Sequence, residues 1–193
     1  MTNPSTLRTD EADTSTDRDF ATLTPEGERW CVRFVRTLRH PQEKVWRAII
    51  EPEHLAAWFP TTIDGERRAG AALQFAFKDF QADPLDGRML VFDPPHRLEL
   101  LWGEDLLRIA LTPTADGGTR LTFDDVLVDL GKAARDGAGW HECLGRFGRL
   151  LVGSDEPLTR EEQWAWLNPR YQERFGPAAS AVAPPEGHPE AQG

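Results

Sequence analysis

The sequence predicts an α+β domain in which a curved antiparallel sheet of about seven strands wraps around one long C-terminal helix. Three observations lead there. An amphipathic stretch near Ala133–Val152 has helical period. A run of strand-like segments precedes it, with no second long helix between them. Two short helical segments directly follow the first strand. At 193 residues the chain suits one domain with tails.

Residues 1–28 lack apolar periodicity and are expected to be a disordered acidic tail. Strand one spans Arg29–Arg39: Trp30, Val32, Phe34 and Leu38 share one face, and Arg36 is the exception on it. Pro41 opens a short helix carrying Val45, Trp46, Ile49 and Ile50, which Glu51-Pro52 ends. Glu53–Trp58 is a second short helix, stopped at Phe59-Pro60, so the two form a V-shaped clasp. Strands follow near Thr61–Arg67, Ala71–Phe77, Asp86–Phe92, His96–Trp102, Asp105–Thr112 and Thr119–Val128. Asp64-Gly65, Ala69-Gly70, Asp93-Pro94-Pro95, Gly103-Glu104 and Ala115–Gly118 punctuate them as turns.

In the last long helix, Ala133, Gly137, Trp140, Leu144, Phe147 and Leu151 recur at three- and four-residue steps and form one face. Twenty helical residues span ~30 Å, against ~26 Å for a strand of eight, so one helix crosses the sheet. A C-terminal extension, 153–176, carries Trp164, Trp166, Leu167, Tyr171 and Phe175 at the spacing of a short helix. The Ala/Pro/Gly-rich 177–193 is expected to be disordered.

Of the formal charge of −10, the two tails hold −7, because residues 1–28 place seven acids against Arg8 and Arg18 and 177–193 add Glu186 and Glu190. The body is nearly balanced, which argues against nucleic-acid binding. Cys31 and Cys143 have no Cys/His ligand spacing around them, so no metal site is expected. No cofactor fingerprint, phosphate loop or Ser-His-Asp order is present. No apolar run reaches ~18 residues, so no membrane span is expected. With no secretory signal, a cytoplasmic setting is expected.

The order strand, two short helices, six strands, long helix is that of the helix-grip fold, with a domain over 29–152. Specific residues carry a resemblance. Pro41, Val45-Trp46, Glu51-Pro52, Leu55 and Trp58-Phe59 resemble the opening motif of SRPBCC (Bet v 1/START-like) proteins related to the activator of heat-shock-protein-90 ATPase. Gly87, Phe92-Asp93-Pro94-Pro95-His96-Arg97-Leu98 and Leu101-Trp102 are similar to the family pattern. So are Leu111-Thr112-Pro113, Gly117–Thr122, Gly139-Trp140 and Leu144. The resemblance implies a cavity between sheet and last helix, and proteins of this kind bind or transform many apolar molecules.

The candidate ligand-binding residues are Trp58, Phe59, Phe75, Phe77, Leu98, Trp102, Phe123, Trp140, His141, Leu144 and Phe147. Trp140 and Phe147 either line the cavity or fill it. Alternation places Phe75 with Phe77 and Leu98 with Trp102, but does not say which strand faces point inward. His141 is the weak catalytic candidate, because a histidine at the cavity's edge moves protons near neutral pH; Arg108, Asp124 and Glu99 are the possible partners. Cys143, two residues on, does not face it. Cys31 reads as a small buried residue, and Asp124-Asp125 as an exposed pair at a strand end.

Three function classes follow. The leading one is binding of a lipophilic or aromatic small molecule, since burying ~200 Å² of apolar ligand surface yields ~5 kcal/mol before ordering costs. The alternative is a cyclase, dehydratase or hydrolase-like enzyme using the same cavity. The third is a chaperone-associated or other protein-binding module, with a homodimer through Trp164, Trp166 and Tyr171 as a milder form.

Overall fold

The computed structural model describes residues 19–78 and 83–183. An eight-stranded antiparallel sheet forms in the order β1-β2-β8-β7-β6-β5-β4-β3. Its strands are β1 (Thr22–Glu26), β2 (Arg29–Leu38), β3 (Thr61–Asp64), β4 (Ala72–Phe77), β5 (Leu85–Asp93), β6 (Arg97–Trp102), β7 (Asp105–Pro113) and β8 (Thr119–Leu127). The helices are α1 (Gln42–Ile50), α2 (Pro52–Trp58), α3 (Ala133–Val152) and α4 (Trp164–Phe175). The helix-grip order holds, and α3 has the bounds the heptad-like spacing gave it.

The sheet has one strand more than expected. β1 lies within the segment read as disordered, paired with β2 from Thr22↔Arg33 to Glu26↔Arg29. Gly27, at φ 62°, supplies the left-handed residue of the tight loop. Pro25 is tolerated because β1 is an edge strand. The rest of that segment, 1–18, lies outside the described residues. At the other end the expected disorder begins too early, because Pro177–Ser180 forms a 3-10 turn with Ala179 buried. Residues 184–193 lie outside the described residues.

Sequence alternation becomes burial. Val32 and Phe34 of β2, Leu121 and Phe123 of β8, Leu107, Ile109 and Leu111 of β7, and Leu73 and Phe75 of β4 are all buried. On α3 the stripe Ala133, Trp140, Leu144, Phe147, Leu151 meets them. The clasp is pinned at two points: Trp58 Nε1 donates to the Ala48 carbonyl at 3.0 Å, and Lys44 Nζ donates to the Leu151 carbonyl at 2.7 Å.

The C-terminal extension packs on its own domain. Trp164, Leu167 and Tyr171 of α4 are buried against α3, which leaves Trp166 as the partly exposed ring of the set proposed for a dimer contact. Arg149 of α3 holds Glu162 of the extension through two bonds of 2.7 and 2.6 Å. Glu162 also accepts from the Thr159 backbone amide, and its carboxyl is pushed down to about 2, chiefly by Arg149. Among the described residues no helix is long and apolar enough to cross a membrane.

Candidate functional site

Eight of the predicted site residues form one chain of ring contacts beneath α3. Phe147 meets Trp58 at 4.9 Å between ring centres, Trp58 meets Phe59 at 5.3 Å, and Phe59 meets Trp140 at 5.5 Å and Trp102 at 5.4 Å. Trp140 continues to Phe123 at 4.8 Å, while Trp102 takes Phe75 at 4.7 Å and Phe77 at 6.0 Å. Gly87 permits the Phe75–Trp102 contact, because a Cβ there would come within 2.4 Å of the Phe75 ring. Both face pairs left open by alternation therefore point toward the helix side. Leu98, the ninth, lines a void of only about 10 Å³ beside Ile49, Leu55, Trp58 and Phe59. That void has room for about one water-sized probe among the described side chains.

The sizeable open space lies beside α3 instead. A groove of about 500 Å³ runs between β2 and β8, the flank of α3 and the segment after Gly153. Leu38 and the largely buried Leu121, Leu144 and Phe147 form its apolar floor, while Arg36, His141, Arg149 and the acids Asp19, Glu156, Glu161 and Glu162 line it as polar groups. His141, Leu144 and Phe147 are thus the predicted residues that reach it. A second groove, of about 640 Å³, lies on the far side of the extension along Glu142, Arg146 and Leu150.

His141 bonds none of the partners suggested for it. Its Nδ1 is 3.0 Å from the Tyr171 hydroxyl, which also accepts from the Ala21 amide at 3.0 Å. The Tyr171 hydroxyl is buried, and Nδ1 is the acceptor within its reach among the described residues, which assigns the phenolic proton to Nδ1 and leaves the histidine's own hydrogen on Nε2. Burial, helped by the charge of Arg36, pushes His141 down to about 3. A base that weak takes up little proton at neutral pH, so the geometry suits a hydrogen-bond donor better than a general base. Burial likewise raises the Tyr171 hydroxyl.

The three suggested partners are engaged elsewhere. Asp124 receives Arg33 at 2.6 and 2.8 Å and Arg108 at 3.0 Å, while Arg108 also grips Glu26. Glu99 takes Arg97. Asp124 and Asp125 are not an exposed pair, since they are 4% and 2% exposed. They do point to opposite faces. The outward Asp124 is neutralised by two arginines, whereas the inward Asp125 accepts from Trp140 Nε1 at 2.9 Å through Oδ2 and has no partner on Oδ1. Burial, then the neighbouring Asp136 and Asp105, hold the Asp125 carboxyl well above the ordinary carboxylate range. Cys31 is buried beside this network, its thiol pushed up to about 11 by burial, and neither cysteine is in a disulfide.

Sequence reasoning missed Phe20, Tyr171, Leu38 and Leu121 as parts of one site. It read Arg36 as the charged break in an apolar strand face without placing it among the site residues.

The family model for "Activator of Hsp90 ATPase homolog 1-like protein" matches residues 39–152. No curated protein matches the chain. Among solved structures, a conserved protein of unknown function from Enterococcus faecalis is similar at 20% identity and TM-score 0.66, over 80% of this chain and 90% of its own. CalU16 from Micromonospora echinospora is similar at 19% identity and TM-score 0.61, over 83% and 95%. DynU16, a protein in the dynemicin biosynthetic locus, is similar at 26% identity and TM-score 0.55, over 66% of this chain and 48% of its own. The curved sheet gripping one long helix, the paired short helices that open the matched span, and a family match across the greater part of the chain agree: the chain belongs to the Activator of Hsp90 ATPase homolog 1-like protein family of the SRPBCC superfamily.

Proposed function

We propose that the protein binds a lipophilic small molecule, seated in the groove along α3 and not in the enclosed space beneath it. One observation carries this reading: the enclosed void is about 10 Å³, and of the two larger grooves the one of about 500 Å³ is the one that reaches Leu38, Leu121, Leu144 and Phe147. Small-molecule sites usually measure roughly 300–1,000 Å³, with apolar walls and a few placed polar groups. Those four residues supply the apolar lining. Burying ~200 Å² of ligand against it contributes ~5 kcal/mol before ordering costs, enough for modest affinity. The fold belongs to a superfamily in which apolar ligands are typical. The place of DynU16 in a biosynthetic locus is in keeping with a lipophilic natural product as ligand.

Gly148 offers the test. It lines the groove on α3, and a Cβ built there meets nothing within 4 Å. Gly148→Phe therefore fills the groove without pressing on the core, and it removes a helix-interior glycine. The neutral dye Nile red should bind the native chain with enhanced fluorescence, and decanol should displace it. Affinity for the dye should fall about tenfold or more in Gly148→Phe, with the melting temperature unchanged or higher. No dye binding, or equal binding to both proteins, would overturn the reading.

A further inference from the structure

The groove holds a cation, Arg36, whose ion pair among the described residues is a long one, to Asp19 at 3.9 Å. Arg36 sits on the inward side of β2, between Phe34 and Leu38 in the alternation, with its side chain 17% exposed. Its Nη1 donates to the Val35 carbonyl at 3.1 Å and its Nη2 to the Asp19 carbonyl at 2.6 Å. The carboxylate it faces, Asp19 Oδ1, is 3.9 Å from Nε, beyond hydrogen-bond reach, and the Asp19 side chain is 58% exposed.

The outward arginines show how different this is. Arg33 is held by Asp124 at 2.6 and 2.8 Å, and Arg108 by Glu26 at 2.7 and 2.8 Å. Arg149, the other arginine lining the groove, is taken up by Glu162. A guanidinium carries five N–H donors in one plane. Two backbone carbonyls leave part of that fork unused, and burial without a close counter-charge is unfavourable for a cation. Burial in turn depresses the Arg36 pKa.

A second donor stands in the same groove. The Tyr171 hydroxyl fixes the His141 tautomer so that Nε2 bears the hydrogen, and among the described residues no acceptor is bonded to it. Both groups are close to Phe20: the His141 ring lies 5.2 Å from it, and Arg36 bonds the carbonyl of the preceding Asp19; Leu38, Leu121, Leu144 and Phe147 line the same groove.

From this arrangement we infer that the ligand is an amphipathic monocarboxylate, its carboxylate on Arg36 with His141 Nε2–H as second donor and its apolar body along those four residues. Guanidinium to carboxylate is the strongest hydrogen-bonded pairing available to such a fork. A singly charged head is favoured over a phosphate, because Asp19, Glu156, Glu161 and Glu162 also line the groove and repel a second negative charge. This inference rests on the proposed binding groove and adds the chemistry of the head group.

Three ligands of one chain length, decanoate, methyl decanoate and decyl phosphate, should be compared by displacement of Nile red near neutral pH. In the native chain decanoate should bind about tenfold or more tightly than its methyl ester, the size expected of a charge-assisted pair. In Arg36→Gln the two should differ by less than about twofold, with dye binding retained. His141→Gln, which keeps an acceptor for Tyr171, should weaken decanoate about threefold and leave the ester unchanged. Equal binding of decanoate and its ester by the native chain overturns the inference and leaves the groove standing. Absence of dye and ester binding removes the groove as well. Tighter binding of decyl phosphate than of decanoate overturns the assignment of a monocarboxylate. The native comparison decides even where Arg36→Gln does not fold.

Discussion

Acidification should weaken the fold through His141, and the size of the effect follows from its surroundings. In the unfolded chain the imidazole titrates near 6.5, whereas in the fold it is pushed down to about 3. Between those values the unfolded state holds more protons, so the stabilisation is fully present above 6.5 and is lost as pH falls toward 3. At about pH 4.5, some two pH units below the unfolded value, the ideal loss is about 2.7 kcal/mol. Because the ring borders an open groove and gains some screening, the expected loss is on the order of 1–2 kcal/mol. Urea melts followed by tryptophan fluorescence should be recorded near pH 7.5 and pH 4.5 for the native chain and for His141→Gln. With a slope of ~2 kcal/mol/M, the native midpoint should fall by about 0.5–1 M more than that of the variant. The difference between the two proteins isolates His141, since Asp125 and the surface carboxylates titrate in both. Arg36 on β2, the Tyr171 hydroxyl and Glu162 surround the ring, and all three remain in the variant. Equal midpoint shifts in the two proteins would refute the reasoning.

Two further outcomes are expected. Asp125 works in the opposite sense: with its pKa raised in the fold, its contribution is present at low pH and lost as pH rises through the raised value. Asp125→Asn should therefore stabilise the protein at about pH 8 by on the order of 1 kcal/mol, with the gain vanishing toward pH 4 in thermal melts. Glu162→Gln should lower the melting temperature near neutral pH by a few degrees, from about 1 kcal/mol of lost pairing with Arg149. That difference should shrink as pH drops below 4.5 toward about 2, where the native carboxyl itself becomes protonated.

The elements were legible because their periods are clean. The Trp140/Leu144/Phe147 stripe placed α3, and Val45, Trp46, Ile49 and Ile50 placed α1. β1 was hidden because Pro25 and Glu26 carry no strand signature; what makes it a strand is pairing with β2. The aromatic residues of the site were also legible as a set. Whether they would line a cavity or occupy it was not, since this depends on how Trp102, Trp140 and Phe59 interleave across elements far apart in the chain. The fate of Asp125 likewise hangs on Trp140, fifteen positions away. Arg36 stood out in the sequence only as a charge at an alternating apolar position, and its place in the groove depends on the packing of α3 and of the segment after Gly153 across β2.

The Tyr171 hydroxyl joins Ala21 at the start of β1, His141 on α3 and its own helix α4. Two of those three elements lie outside residues 39–152, the span shared with the family. Tyr171 thus ties α3, inside the matched span, to β1 and α4, which lie outside it. Substitutions in those flanks should therefore reshape the head of the proposed groove while leaving the matched span intact, which makes them the place to test its selectivity.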